Sequence, residues 1–161
     1  MSTIIDQLKD YLKKKEVRFE YDEQNNCLRV QFDGKNTSWR GRAFISEKTG
    51  VNFYSYVPVK CPENRRKTCA ELLNHLNCNL GFGNFEMDTD DGEMRFRNSV
   101  PLLETASEEL FEYILNGHHY VVDETLPKIA AVAFGGLTAM KAVELHDAPA
   151  VEPDAERFSL N

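Results

Sequence analysis

Residues 83–97 read GNFEMDTDDGEMRFR, and this stretch has the features of a tight β-hairpin. Apolar residues alternate with polar ones on both sides of the central Asp91-Gly92: Phe85 and Met87 before it, Met94 and Phe96 after it. Asp-Gly favours a hairpin turn because glycine readily adopts the positive backbone angles required there. The stretch therefore predicts two antiparallel strands that bury one face and leave polar side chains on the other.

The same period of two recurs upstream and predicts two further hairpins. The first alternates Val17, Phe19 and Tyr21, then Leu28, Val30 and Phe32, around Asn25-Asn26, and Asp33-Gly34 follows as a turn. The second places on one face Trp39, Gly41, Ala43 and Ile45, then Val51, Phe53 and Val57, around a turn near residues 48–50. Together the hairpins predict an antiparallel sheet of five to six strands.

Helical spacing predicts helices before, between and after these hairpins. The first covers residues 3–15, and Thr3 with Asp6 resembles a capping box at its start. A second helix covers residues 63–77, after two prolines that we expect to end strand pairing, Pro58 and Pro62. Ser107 begins a third helix that Gly117 ends, and a last helix covers residues 122–145. The fold class is therefore α+β, with helices packed on one face of the sheet.

The predicted last helix is apolar on more than one side. Its apolar residues include Val132, Phe134, Leu137 and Met140, with few charges between Lys128 and Lys141. A helix that is apolar nearly all round must be buried in the core or against a partner. We therefore expect these four residues to form a core or dimer contact, and the protein to be a homodimer.

Length and charge restrict the class of protein. A chain of 161 residues fits one domain, which we place at residues 1–146, followed by an acidic tail at 147–161. The net charge of −7 argues against a nucleic-acid partner. The first residues lack a secretory signal pattern, and the longest weakly polar stretch is too short to cross a bilayer. We expect a cytoplasmic protein without membrane contact.

Chemistry-bearing residues form no converging motif in the sequence. The four cysteines show no CxxC pair, and the acidic turn Asp88–Gly92 has its glycine one place early for a calcium loop. We predict no metal, no cofactor and no catalytic residue. The competing interpretation is a small metal-dependent or cysteine-based hydrolase built around His75, Cys78 and His118.

Two strands of the predicted second hairpin carry polar and aromatic residues in the outward phase. These residues are Arg40, Arg42, Tyr54 and Tyr56. They alternate with the apolar set, so they lie on the opposite face of the sheet. We predict that they contact a protein partner, while cover by a helix of the same chain remains the alternative.

Several segments resemble the YbjN family of the type III secretion chaperone-like superfamily. They are residues 38–43 (SWRGRA), 54–59 (YSYVPV), 66–77, 80–88 and 91–97. The resemblance extends over about residues 3–143. It implies a bacterial protein of sensory transduction without established enzymatic activity. It also implies a fold shared with small acidic dimeric chaperones that hold extended segments of secreted proteins, so we expect a chaperone-like or regulatory role.

Overall fold

The computed structural model of the chain describes residues 3–46, 50–101 and 106–145. Six strands form one antiparallel sheet in the order β1-β2-β3-β4-β6-β5. The strands are β1 Phe19–Asp22, β2 Cys27–Asp33, β3 Ser38–Ser46, β4 Gly50–Lys60, β5 Asn84–Met87 and β6 Glu93–Val100. The helices are α1 Ile4–Lys14, α2 Arg66–Asn79, α3 Glu108–Ala133 and α4 Ala139–Glu144, and a 3-10 turn, Glu63–Arg65, precedes α2. The α+β prediction is confirmed, whereas the turn residues 48–49 and the tail 147–161 lie outside the described residues.

The strand register aligns the apolar positions on the helix-bearing face of the sheet. The cross-strand pairs are Leu28 with Ala43, Ala43 with Phe53, Ser55 with Phe96 and Phe85 with Phe96. All of these side chains are buried. The core therefore lies between this face and the helix layer, as the alternation in the sequence requires.

Helix α1 begins with the predicted capping box. The Thr3 hydroxyl accepts a hydrogen bond from the Asp6 amide at 3.3 Å, and the Asp6 carboxylate accepts one from the Thr3 amide at 3.1 Å. The buried face of α1 is made of Ile4, Ile5, Leu8, Tyr11 and Leu12. These contacts fix the start of the chain against the core.

Strand β4 runs past Pro58, so the prediction that this proline ends pairing is wrong. Pairing with β6 is instead interrupted between Tyr56 and Lys60, and it resumes where Lys60 faces Glu93. Proline has no amide hydrogen, so it removes one ladder hydrogen bond without forcing the strand to stop.

The third and fourth predicted helices also differ from the structure. Helix α3 continues through Gly117 and is 26 residues long in all. The Phe82 ring packs against Gly117, because this residue has no side chain; a Cβ there would lie 2.6 Å from the Cε1 atom of Phe82. Helix α3 ends at Ala133. Gly136 follows with a φ of 72°, and α4 then begins at its own cap, Thr138. The predicted helix 122–145 is therefore two helices. Within the described ranges, no helix has the length and apolar character needed to cross a membrane.

The four apolar residues assigned to the last helix occupy different environments. Val132 is fully buried, and Leu137 is partly buried. Phe134 and Met140 are 62% and 52% exposed. Val132 is thus a core residue, while the dimer contact remains a prediction that would cover Phe134 and Met140.

The turn between β2 and β3 is attached directly to α3. The buried Asp123 carboxylate accepts a hydrogen bond from the Lys35 amide at 2.9 Å. Nε2 of His119 lies 2.9 Å from the Asp33 carbonyl oxygen and donates to it. Gly34 permits this approach, since a Cβ there would collide with the Asp123 carboxylate and the Trp39 ring. These hydrogen bonds therefore hold the β2–β3 part of the sheet against α3.

Candidate functional site

The sheet surface opposite the helix layer is the candidate site, and we call it the open face. The structure places all four predicted contact residues on it. Arg42 lies directly across from Tyr54, while Arg40 and Tyr56 occupy the same outward phase of β3 and β4. Strand β6 adds two arginines, because Arg97 faces Tyr54 and Arg95 faces Tyr56. Three adjacent strands thus bring arginines and tyrosines together.

The aromatic rings on the open face are held by arginines and by each other. The Arg42 guanidinium lies 5.1 Å from the Tyr56 ring centre, and those of Arg95 and Arg97 lie 5.6 and 5.7 Å from the Tyr54 ring centre. The two tyrosine rings are 6.4 Å apart. Partial burial raises the pKa of Tyr56, although the nearby Arg42 and Arg95 charges act to lower it. Cation–π contacts of this kind attract the rings to the guanidinium groups without using the hydrogen-bond donors of the arginines.

The alternative of a helix covering the tyrosines is not observed within the described ranges. The rings and cations that contact Tyr54 and Tyr56 all belong to strands β3, β4 and β6. Both tyrosines and both predicted arginines keep part of their surface exposed. A partner can therefore reach them without displacing any described helix.

Charge is unevenly distributed over the open face. Arg95 and Arg97 pair with Glu86 at 3.1 and 3.8 Å. At the opposite side, Arg29 pairs with Asp22 at 2.6 Å. In the part of the chain that the structure describes, Arg40 and Arg42 have no carboxylate within the 4.0 Å of an ion pair. The centre of the face therefore carries positive charge without a carboxylate partner, between two borders whose charges are ion-paired.

A buried serine and histidine form a second polar contact beneath the sheet. Ser55 Oγ lies 2.9 Å from His118 Nδ1, and His118 Nε2 lies 3.4 Å from Asn98 Oδ1. This arrangement fits a neutral ring with its proton on Nε2. Burial lowers the pKa of His118 to about 3. Serine–histidine pairs occur in nucleophilic catalysis, but Ser55 is 0% and His118 1% exposed, so no substrate can reach this pair.

The hydrolase interpretation named His75, Cys78 and His118, and the structure places the first two on α2 with His75 partly buried. His118 is in the core, whereas Cys78 is exposed on α2. Burial, and then the neighbouring Cys61 thiol, raise the pKa of Cys69 above its ordinary value, which is the opposite of an activated nucleophile. Among residues 3–46, 50–101 and 106–145, no three His, Cys, Asp or Glu side chains are placed to hold a metal ion.

The acidic hairpin turn between β5 and β6 uses its carboxylates to form the turn itself. Asp88 accepts a hydrogen bond from the Asp90 amide at 3.0 Å, and Asp91 accepts one from the Glu93 amide at 2.9 Å. Asp91 also pairs with Lys60. Hydrogen bonds from the Lys60 side chain and the Glu93 backbone amide lower the pKa of Asp91. These contacts give the turn a structural role.

The fold and the open face together define a small α+β protein with one helix layer and one accessible sheet surface. The chain belongs to the YbjN family, whose description is "Putative bacterial sensory transduction regulator"; the match covers residues 5–118. The crystal structure of YbjN from E. coli, "a putative transcription regulator", superposes with a TM-score of 0.58. That similarity covers 79% of this chain and 89% of the other at 12% identity, so it concerns the fold alone. No curated protein matches the chain.

Sequence reasoning missed several residues that now prove important. The alternation in residues 93–97 placed Arg95 and Arg97 opposite the apolar set, so their position on the open face was available from the pattern. Ser55 gave no signal, since a serine in a strand predicts no histidine partner 63 residues away. Asp123 likewise lies inside a helix and contacts a turn 88 residues earlier in the chain.

Proposed function

We propose that the chain is a non-enzymatic protein-binding module, acting as a chaperone-like or regulatory adaptor in a bacterial cytoplasm. It binds its partner on the open face. The observation that carries this proposal is the cluster of tyrosines and arginines in cation–π contact on a sheet surface that no described helix covers. Membership in a family described as regulatory supports it.

The composition of the open face suits recognition of a polypeptide. Tyrosine and arginine are enriched at protein interfaces and supply much of the binding energy there. Rings already fixed by stacking lose little conformational freedom when a partner arrives. An extended segment lying across the strands would bury Tyr54 and Tyr56 and receive hydrogen bonds from Arg40 and Arg42.

Two observations favour a binding function over a hydrolase activity. The serine–histidine pair is inaccessible, and the buried Cys69 thiol has a raised pKa. An active site needs a reactive group within reach of substrate. A homodimer, formed through the exposed Phe134 and Met140 near the end of the chain, is part of the same proposal.

The proposal is tested by affinity capture from a native bacterial lysate. We expect Tyr54→Ala/Tyr56→Ala to reduce recovery of specific partners by about ten-fold or more, because two interface tyrosines together contribute upwards of 1.4 kcal/mol. The matched control is Tyr113→Ala/Tyr120→Ala, which removes two exposed tyrosines of α3. Recovery is quantified by mass spectrometry.

Thermal melts of both variants establish that each remains folded. Unchanged recovery with the sheet variant would contradict the proposal. Loss of partners only with the α3 variant would place the interface on the helix layer instead.

A further inference from the structure

We propose that the chain's own C-terminal acidic segment, residues 152–156, docks on the open face of the same copy and competes with the partner. This inference rests on the proposed function, because it assigns an internal competitor to the same surface. It follows from the charge at the centre of the face, the spacing of acids in the segment, and the length of chain between them.

The first observation is the uncompensated charge of Arg40 and Arg42. The chain has 26 acidic and 19 basic residues, yet within the described ranges these two guanidinium groups have no carboxylate partner. The Arg42 guanidinium lies over the Tyr56 ring at 5.1 Å from its centre, and this contact does not use its N–H groups, which can donate to an anion. The two side chains belong to alternate residues of β3, so they are about 7 Å apart along the strand.

The second observation is a matching spacing of carboxylates in the segment. Residues 151–158 read VEPDAERF, with acids at alternate positions Glu152, Asp154 and Glu156, followed by Phe158. In an extended chain, alternate side chains project to one side at the same spacing of about 7 Å. Two adjacent carboxylates can therefore meet Arg40 and Arg42 together, and Phe158 can reach the tyrosine rings.

The third observation is reach. Helix α4 ends at Glu144 in the helix layer. The seven residue steps from Leu145 to Glu152 span at most about 25 Å, and the eleven steps to Glu156 at most about 40 Å. A domain of this length has a radius of gyration of about 15 Å. The extended length to Glu156 therefore exceeds twice this radius, which is enough chain to extend from the helix layer to the opposite face of the sheet.

The net charge of the chain and the small extent of the unpaired positive centre favour this short occupant over a nucleic acid. Asp22 lies on one side of the central arginines and Glu86 on the other. Both carboxylates are paired with arginines, so neither border offers unpaired positive charge, whereas a nucleic acid carries phosphates along its whole length and would also meet the net charge of −7. A peptide with two or three acids places its charge only over Arg40 and Arg42.

Photo-crosslinking of the purified full-length chain tests the inference. p-Benzoylphenylalanine replaces Gln31, an exposed residue directly across from Arg40 on β2, so that the arginines and tyrosines stay intact. We expect irradiation to join position 31 to residues 146–161 within one chain. The same probe at Tyr120, exposed on α3, is the positional control and is expected to give at least five-fold less of this adduct.

Charge variants then identify the contact. We expect the adduct yield to fall about five-fold or more in each of two variants. One is the acidic variant Glu152→Gln/Asp154→Asn/Glu156→Gln, and the other is the arginine variant Arg40→Gln/Arg42→Gln. The matched control Lys67→Gln/Lys141→Gln removes two exposed cations from the helix layer and is expected to leave the yield within two-fold. The acidic variant changes no residue within the described ranges, so the test holds even where the arginine variant fails to fold.

A yield that does not respond to the acidic substitutions would overturn the inference, as would adducts formed only between two chains. Partner capture separates this failure from failure of the proposed function. If the segment competes, the acidic variant recovers more partner than the wild type. Unchanged recovery, with the effect of the tyrosine variant intact, would reject only the docked segment.

Discussion

Replacement of Phe96 by alanine is expected to lower the free energy of unfolding by about 3–5 kcal/mol. The Phe96 side chain is 0% exposed, and its ring centre lies 5.1 Å from that of Phe85 and 4.9 Å from that of His118. It therefore connects strands β5 and β6 with helix α3. Truncation removes these contacts and leaves a cavity that the surrounding strands cannot close.

The measurement is urea unfolding followed by circular dichroism. Tyr120→Ala serves as the control, because Tyr120 is 43% exposed, and it is expected to cost under about 1 kcal/mol. Equal costs for the two substitutions would show that Phe96 is not central to the core.

Acidification from pH 7.5 to pH 5 is expected to remove about 2 kcal/mol of stability through His118 alone. Its pKa is about 3 in the folded protein because burial disfavours the charged ring, and about 6.5 in the unfolded chain. Between these values the unfolded state binds more protons than the folded state. Stability is therefore full above pH 6.5 and falls as the pH decreases toward 3.

Unfolding titrations at several pH values test this linkage. His118→Gln removes the titrating ring while keeping a polar group near Ser55, and it is expected to flatten the pH dependence between 7.5 and 5. His75→Gln, on α2, is the matched control and should retain the slope of the wild type. An identical slope in His118→Gln would mean that the imidazole is charged, or not buried, in the folded protein.

The period-two pattern was sufficient to predict the sheet and its two faces. Each hairpin carried its own alternation and a Gly- or Asn-containing turn, which are local signals. The same alternation placed Arg40, Arg42, Tyr54 and Tyr56 on one surface, and the structure confirms that placement. Whether that surface binds a partner is a question that the register does not answer.

The errors concerned residues whose effect depends on distant parts of the chain. Gly117 looks like a helix end, but Phe82 packs against it and the helix continues. Pro58 looks like a strand end, but β6 pairs again beyond it. The Ser55–His118 and Asp123–Lys35 contacts join residues 63 and 88 positions apart, for which a single sequence holds no local pattern.

Photo-crosslinking in a native lysate tests most directly whether the open face binds a protein. The probe p-benzoylphenylalanine is placed at Gln31 on the open face, or at Tyr120 on α3, and covalent adducts of higher mass are identified by mass spectrometry. We expect discrete protein adducts from position 31 that disappear in the Tyr54→Ala/Tyr56→Ala variant. Adducts from position 120 alone, or adducts from position 31 that persist in that variant, would contradict it.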